Sequence, residues 1–417
     1  MQTSVLRAFA FCILLLYAHA DFNETALRLM YGAVEDWVHF SPRPDISLAC
    51  RLGHPLRIAY FTRHSGTLWD WIAVSTHLGA PWTRVNQGLY QPGYGVNTTM
   101  SNKIWQDMGH LLCHVADIIV FSDTIPDSRP LLQGGCTTPL ILQVTNRFDY
   151  GITPSDQDAY MTIMKDAATR PNIWWVVNNP YEELYITKRG VKLPQDRLLM
   201  LRPVGVCMLP PPSLENLDRP RVALVQPSGP THLENTFIAP WIRSNNLDNY
   251  VRLYRQHYGG PTVLAHHRGV ITVPYQTSVM KMYEGLNAGA VFILPSPAFF
   301  KNLTMSLDDS RMVFCCRDLL REYPDSWQLY FDWYHADFID SHILYDSWEQ
   351  LRSIIQEREA TAKMVEAKRL VGMEAMKRSR ERTLNGYSSL YRAVSQQACE
   401  LNKQADVLSQ GYRPMVP

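Results

Sequence analysis

The chain has 417 residues, 46% hydrophobic and 19% charged, with 40 Lys and Arg against 39 Asp and Glu for a formal net charge of +1. That length suits two or three domains with a buried core, and the even charge balance gives no case for nucleic acid or an anionic membrane surface as partner. Eleven Trp and twenty-one Tyr suit a large core as readily as a sugar-stacking cleft.

At the amino terminus, Arg7 precedes an apolar run from Ala8 to Tyr17, and Ala18-His19-Ala20 forms a small-residue cleavage site. The run is too short to span a bilayer, so residues 1–20 read as a cleaved signal peptide and the mature chain is expected to carry no transmembrane span. Glycosylation sequons at Asn23, Asn97 and Asn302 fit the same route, either retention in the endoplasmic reticulum or Golgi lumen or secretion. Loss of Cys12 with the signal leaves seven cysteines without CxxC or finger spacing. Structural zinc is therefore not expected; some cysteines should pair, and the odd count leaves a thiol or an intermolecular bridge.

Residues 21–207 read as the first domain. Asn23–Val38 has the pattern of a surface helix. Leu56–Phe61 is a strand that runs through Thr62-Arg63-His64-Ser65-Gly66-Thr67 into a helix ending at Gly79, the opening of a Rossmann-like half. The loop lacks G-x-G-x-x-G, so no dinucleotide is implied. Gly93-Tyr94-Gly95 reads as a turn. Lys103–Val115 is helical, with His110 and His114 at i,i+4; no third ligand accompanies them, and they read as surface histidines rather than a metal site. Strands follow at Asp117–Phe121, ending at Ser122-Asp123, and at Leu140–Thr145, emptying into Asn146-Arg147-Phe148-Asp149-Tyr150. Asn146 and Arg147 stand where a strand end would hold acceptor or phosphate groups, and Arg147 equally suits a structural ion pair. Asp156-Gln157-Asp158 precedes a helix, so its acids read as partners of that helix's dipole. A strand at 172–178, a helix from Tyr181 to Arg189 and a strand at 198–205 complete a parallel α/β layer.

Residues 208–220, with Pro210-Pro211-Pro212, read as a stiff linker. The second domain, 221–345, opens with a strand at 221–226 and a Pro227-Ser228-Gly229 loop, followed by a helix expected around Leu247–Tyr258. Arg268 and the preceding histidines are candidate phosphate contacts. Met312–Cys316 is a strand-like run, and 346–417 reads as closing helices and a tail. Leu351, Ile354, Ile355, Met364, Val365, Leu370 and Val371 are their expected apolar positions.

The most informative stretch is 270–297. A β-branched run at Val270–Val273 ends at Pro274, Thr277 or Ser278 can cap a helix, Gly289 stops it, and Ala290–Leu294 is a second buried strand. The helix start offers unpaired N–H groups and a positive dipole end at a strand's carboxyl edge. Thr277, Lys281 and Glu284 fall on one polar face; Val279, Tyr283 and Leu286 fall on the other. A diphosphate joined to a ribose suits that polar face, and so does a plain i,i+3 Lys281–Glu284 surface pair.

This stretch resembles the donor-binding signature of GT-B glycosyltransferases, in which a helix carrying Glu-Ala-x-x-x-Gly precedes a hydrophobic strand and a small residue. Glu284, Gly289 and Ser296 match those positions, and Gln276 stands where retaining members carry a further Glu, eight residues before the first. The resemblance implies an α/β chain of two Rossmann-like parallel-sheet domains facing a cleft, with C-terminal helices. It implies a nucleotide-sugar donor as co-substrate, without cofactor or metal, and a glycan, protein or lipid acceptor. Gln276, Thr277, Ser278, Lys281, Glu284 and Arg268 would hold the donor, and an inverting reaction would take His64 or Asp123 as base. The rival is a GT-B-shaped protein that binds glycan or nucleotide without transfer. A secreted hydrolase lacks its G-x-S-x-G elbow here, and a bilobed solute receptor would also hold ligand between lobes.

Overall fold

The computed structural model describes residues 46–85, 94–208, 221–229, 232–255, 258–307 and 316–411. The segment read as a signal peptide, the Asn23 sequon, the helix expected at 23–38, nearly all of the expected linker and most of the 312–316 run lie outside them.

Eleven short strands form two sheets, all parallel. The first holds β1 (Ile58–Phe61), β2 (Trp82–Arg84), β3 (Ile118–Ser122), β4 (Leu140–Val144), β5 (Ile173–Val177) and β6 (Leu198–Met200) in the order β2-β1-β3-β4-β5-β6. The second holds β7 (Val222–Val225), β8 (Val251–Tyr254), β9 (Val270–Ile271), β10 (Phe292–Pro295) and β11 (Ile343–Tyr345) in the order β11-β10-β9-β7-β8. The inner strands β1, β3, β4, β7, β9 and β10 are buried throughout, as parallel strands covered on both faces are. In the first lobe, Ala59 and Phe61 enter one core while Ile58 and Tyr60 enter the other, the alternation a strand imposes. In each sheet the order in which the chain adds strands reverses once, between β1 and β3 and between β7 and β9. A crevice opens beyond the strand ends at such a reversal.

The two lobes meet along one line. Lys188 of the first pairs with Glu322 of the second. Arg202, in the segment after β6, pairs with Asp332 and Asp337 at 3.0 and 3.1 Å. Two closing helices follow, Trp348–Gln356 and Arg358–Gly411. The second begins in the C-terminal core, through Val365 and Met376, then crosses to bury Tyr387, Leu390, Val394 and Ala398 in the N-terminal one. A disulfide from Cys399 to Cys50 fastens it there, and Cys113 pairs with Cys136. Two Rossmann-like lobes, a cleft and a C-terminal helix returning to the first lobe make the GT-B plan.

Three expectations need correction. The helix expected around Leu247–Tyr258 is edge strand β8: Val251 is buried, Arg252 is exposed, and the strand pairs with β7 from Val222↔Val251 onward. The earlier helical turns, Glu234–Ser244, do the packing instead. The strand expected through 205 stops at Met200, because Pro203 cannot extend a ladder and Gly205 turns at φ 70°. Met364, Leu370 and Val371 are exposed by 41, 64 and 41% rather than packed. Asp156 does precede a helix, Gln157–Thr169, but its carboxylate is held by the buried Arg129.

Candidate active site

The loop after β1 carries the first-lobe wall. His64 is the N-cap of the Ser65–Leu78 helix, its Nδ1 accepting from the Gly66 amide at 3.1 Å. That bond fixes the tautomer of the neutral ring, because a nitrogen that accepts carries no proton; Nε2 holds the proton and donates. A Cβ on Gly66 would lie 2.9 Å from His64 Cε1 and 3.1 Å from Met280 Cγ of the opposite lobe, so a larger residue would displace one or both side chains. Two helix starts thus face each other across the gap.

Asp123 follows β3 with φ 67°, a left-handed conformation that costs a non-glycine residue about 1–2 kcal/mol. Burial raises its carboxyl above the ordinary range, and the neighbouring His64, a bond from Thr124 Oγ1 at 3.4 Å and the Arg63 charge pull it back. Arg147, after β4, pairs with the buried Glu182, lies 4.4 Å over the Tyr181 ring, and donates through Nη2 to Gln276 Oε1 at 3.1 Å. Asn146 Oδ1 accepts from the Arg147 amide at 2.9 Å and fixes the turn.

The opposite wall is the β9–β10 crossover. Its helix runs Met280–Ala288 and ends at Gly289 with φ 86°, as its sequence predicts. The start differs. Val279 is the N-cap and supplies no side-chain bond, and neither expected cap occupies that position. The Ser278 hydroxyl pairs with Tyr283 Oη at 3.0 Å, and Tyr283 in turn bonds to Asp332. Thr277 is buried, with its carbonyl accepting from the Asp332 amide at 2.9 Å. The tertiary partner outcompetes the local cap, and the first helical amides are left to the cleft.

Between the walls lies a cavity of about 670 Å³. The first lobe lines it with His64, Asp123, Asn146 and Arg147, and the second with Gln276, Ser278, Lys281 and Glu284. Glu284 is 7% exposed, and burial pushes its carboxyl up to about 7. Burial pulls the Lys281 amine down, and the charge of Glu234 opposes the shift. Lys281 and Glu284 therefore face the cleft rather than outer solvent.

Two of the sequence-derived donor residues are not in it. Thr277 is one. Arg268 is the other: its guanidinium is buried against the end of the Trp348–Gln356 helix, donating to the carbonyls of Ile354 and Ile355 at 3.5 and 2.5 Å. It caps a helix terminus and does not line the cavity. Of the sequons, Asn97 caps the Thr98–Ile104 helix through Oδ1 and Asn302 is exposed on the Pro297–Ser306 helix.

Sequence reasoning passed over several lining groups. Tyr258, Gly259 and Gly260 form the loop after β8, with φ 90° and 93° at the glycines. The adjacent glycines were the available signal, hidden by the helix reading of that region. Tyr275 and Glu182 also line the cleft, and Glu182 is buried in the first turn of a helix capped by Asn179. Asp70 lies behind the wall, accepting from the Val204 amide at 3.0 Å, with burial raising it to about 7.

No family model and no curated protein matches the sequence. Among solved structures, the chain is similar to the lipopolysaccharide outer core galactosyltransferase WaaB, at 11% identity and TM-score 0.45 over 81% of this chain and 99% of that one. It is similar to the trehalose-6-phosphate synthase OtsA, at 9% identity and TM-score 0.49 over 82% and 99%. The glycosyltransferase SnogD from Streptomyces nogalater aligns at 11% identity and TM-score 0.38 over 77% and 96%. At such identities the likeness concerns the path of the chain and not its side chains.

Proposed function

We propose that the chain is a glycosyltransferase that takes a sugar from a nucleotide-sugar donor held by the second lobe and passes it to an acceptor held by the first. The observation that carries this is the pairing of Lys281 and Glu284 on one helix face, both lining the cleft between lobes behind an uncapped helix start. A diphosphate needs cationic and N–H donors, and a ribose needs an acceptor for its hydroxyls; this helix offers both at the right separation of about one turn.

In this reading Lys281 and the leading amides of the helix hold the diphosphate, and Glu284 accepts from the ribose hydroxyls. Arg147 adds less charge than Lys281, since Glu182 already offsets it. Neutralisation of the leaving group is assigned to these groups rather than to a metal ion. Gln276, with Oε1 bound by Arg147, presents its amide N–H groups toward the sugar. Ser278 is assigned to the donor wall by its place in the lining.

In an inverting reaction the acceptor oxygen attacks the anomeric carbon, the bond to the diphosphate breaks, and a base takes the acceptor proton. Asp123 is our assignment for that base, because its carboxylate is half-buried and raised, whereas His64 offers the cleft an N–H. In a retaining reaction the departing diphosphate oxygen takes the proton instead. Gln276 in place of a carboxylate weighs toward inversion. The two disulfides, the Ala18-His19-Ala20 site and the sequons support a lumenal or secreted setting.

The same glutamine favours one other reading, a binding protein of GT-B shape without turnover. Incubation with a panel of nucleotide sugars separates them. Release of free nucleotide, lost in Glu284→Gln, supports the transferase; saturable binding with no release over hours supports the binder.

A further inference from the structure

Tyr94 and Tyr150 form a second feature on the first lobe, outside the donor cavity. Their rings stand edge to face, 5.7 Å apart at 85°, yet they are 56 and 49% exposed. An aromatic side chain of this size left half in water is a recognition feature more often than a packing one when it is held in place. These two are held. Gly95 and Gly151 interlock at φ 76° and 84°, and a Cβ on Gly95 would lie 2.4 Å from the Gly151 carbonyl oxygen. No other residue type allows the two loops to approach so closely. Arg63 covers one face of Tyr94 at 4.9 Å while its guanidinium is held by Asp127, with contacts of 2.9 and 3.0 Å.

The position relative to the cleft is equally specific. Arg63 is the chain neighbour of His64, and Tyr150 lies in the loop that carries Asn146 and Arg147; His64, Asn146 and Arg147 line the first-lobe wall. Asp123 and Asp127 both act electrostatically on the Tyr94 hydroxyl. The platform therefore lies near the proposed base and outside the lining of the donor cavity.

We propose that Tyr94 and Tyr150 form the stacking platform of an acceptor subsite and that the acceptor is a saccharide. A pyranose presents a C–H face that packs on a tyrosine ring and a rim of hydroxyls that bond to carboxylate and guanidinium groups. Two exposed rings at right angles, with Arg63 against one of them and Asp123 nearby, match that mixture. An extended peptide would take alternating apolar pockets or a sheet edge, and a lipid would take an aliphatic groove. The word acceptor rests on the transferase reading; the saccharide-binding claim stands without it.

The test is saturation-transfer NMR on the full chain, without donor. Probes are neutral tetrasaccharides of glucose, mannose, galactose and N-acetylglucosamine, a Ser/Thr-rich peptide, and phosphatidylcholine vesicles. At least one tetrasaccharide is expected to bind, with affinity reduced about tenfold or more in Tyr94→Ala and in Tyr150→Ala. Tyr94→Phe should retain binding, since the ring and not the hydroxyl stacks. Both positions are solvent-exposed, so the melting temperature should not move, and nucleotide binding in the same samples serves as a control. Binding of the peptide or vesicles alone, saccharide binding unchanged in both alanine variants, or no binding of any tetrasaccharide would overturn the proposal. Saccharide binding lost in these variants but without nucleotide-sugar turnover would keep the subsite and sink the transferase. Turnover with unchanged acceptor KM in both variants would do the reverse.

Discussion

Arg147 reaches across the cleft to Gln276, its Nη2 donating to Oε1 at 3.1 Å, while the same guanidinium pairs with the buried Glu182 of its own lobe. One side chain thus joins the two walls of the cavity. Glu182 is 2% exposed at its side chain, so removing its cation leaves a buried carboxylate unpaired. Arg147→Ala should lower unfolding free energy by about 3 kcal/mol, read from urea melts. Arg147→Ala combined with Glu182→Gln should recover part of that loss; an additive double variant would show that the pair is not coupled.

Ionisation in the cleft gives opposite pH trends for stability and for binding. Burial raises Glu284 and Asp70 to about 7, so the folded chain keeps protons that the unfolded chain releases near pH 4. Their contribution to stability is complete below that ordinary range and is lost as pH climbs through about 7. Melting temperature should therefore fall between about pH 5 and about pH 8, with a shallower fall in Asp70→Asn. Donor binding needs the ionised Glu284, so its affinity should rise over the same interval. Burial of the Lys281 amine lowers it and sets the alkaline limit. A flat calorimetric profile for donor binding would exclude Glu284 as a titrating contact.

The base assignment separates two neighbouring groups. Asn is tolerated in the left-handed region that Asp123 occupies, so Asp123→Asn keeps the backbone and removes the carboxylate. For an inverting enzyme, kcat should fall by about 10²–10⁴ with donor Kd unchanged. His64→Asn, which preserves a cap, should cost less. Equal turnover in wild type and Asp123→Asn would remove the base, and an axial-to-axial product in anomeric NMR would assign retention.

The Cys50–Cys399 bridge closes a sequence separation of 349 residues and fastens the last helix to the first lobe. Cys50→Ala/Cys399→Ala should lower stability by about 2–5 kcal/mol. Because this helix also fills the core through Tyr387 and Val394, the variant should remain folded at room temperature, which near-ultraviolet circular dichroism would check.

What could be read from the sequence was local. The Val270–Ile271 strand, the Gly289 stop and the polar face of Lys281 and Glu284 each depend on residues within two or three turns of one another, and their pattern survives in the fold. The β8 segment was misread because four residues, Val251–Tyr254, are too few for a two-residue period to outweigh a helical one. Ser278 and Arg268 carry polar groups with local uses, and distant partners claimed them: Tyr283 for the first, the carbonyls of Ile354 and Ile355 for the second. Nothing near Glu182 in the chain reveals that Arg147 will lie against it, and nothing near Cys399 reveals Cys50.

The most direct measurement is isothermal titration of the purified chain with a panel of nucleotide sugars, run beside Glu284→Gln and Lys281→Ala. Binding of at least one member is predicted, weakened about tenfold or more by each substitution. Absence of binding across the panel, or equal affinity in all three proteins, would contradict a donor site on the Met280–Ala288 helix.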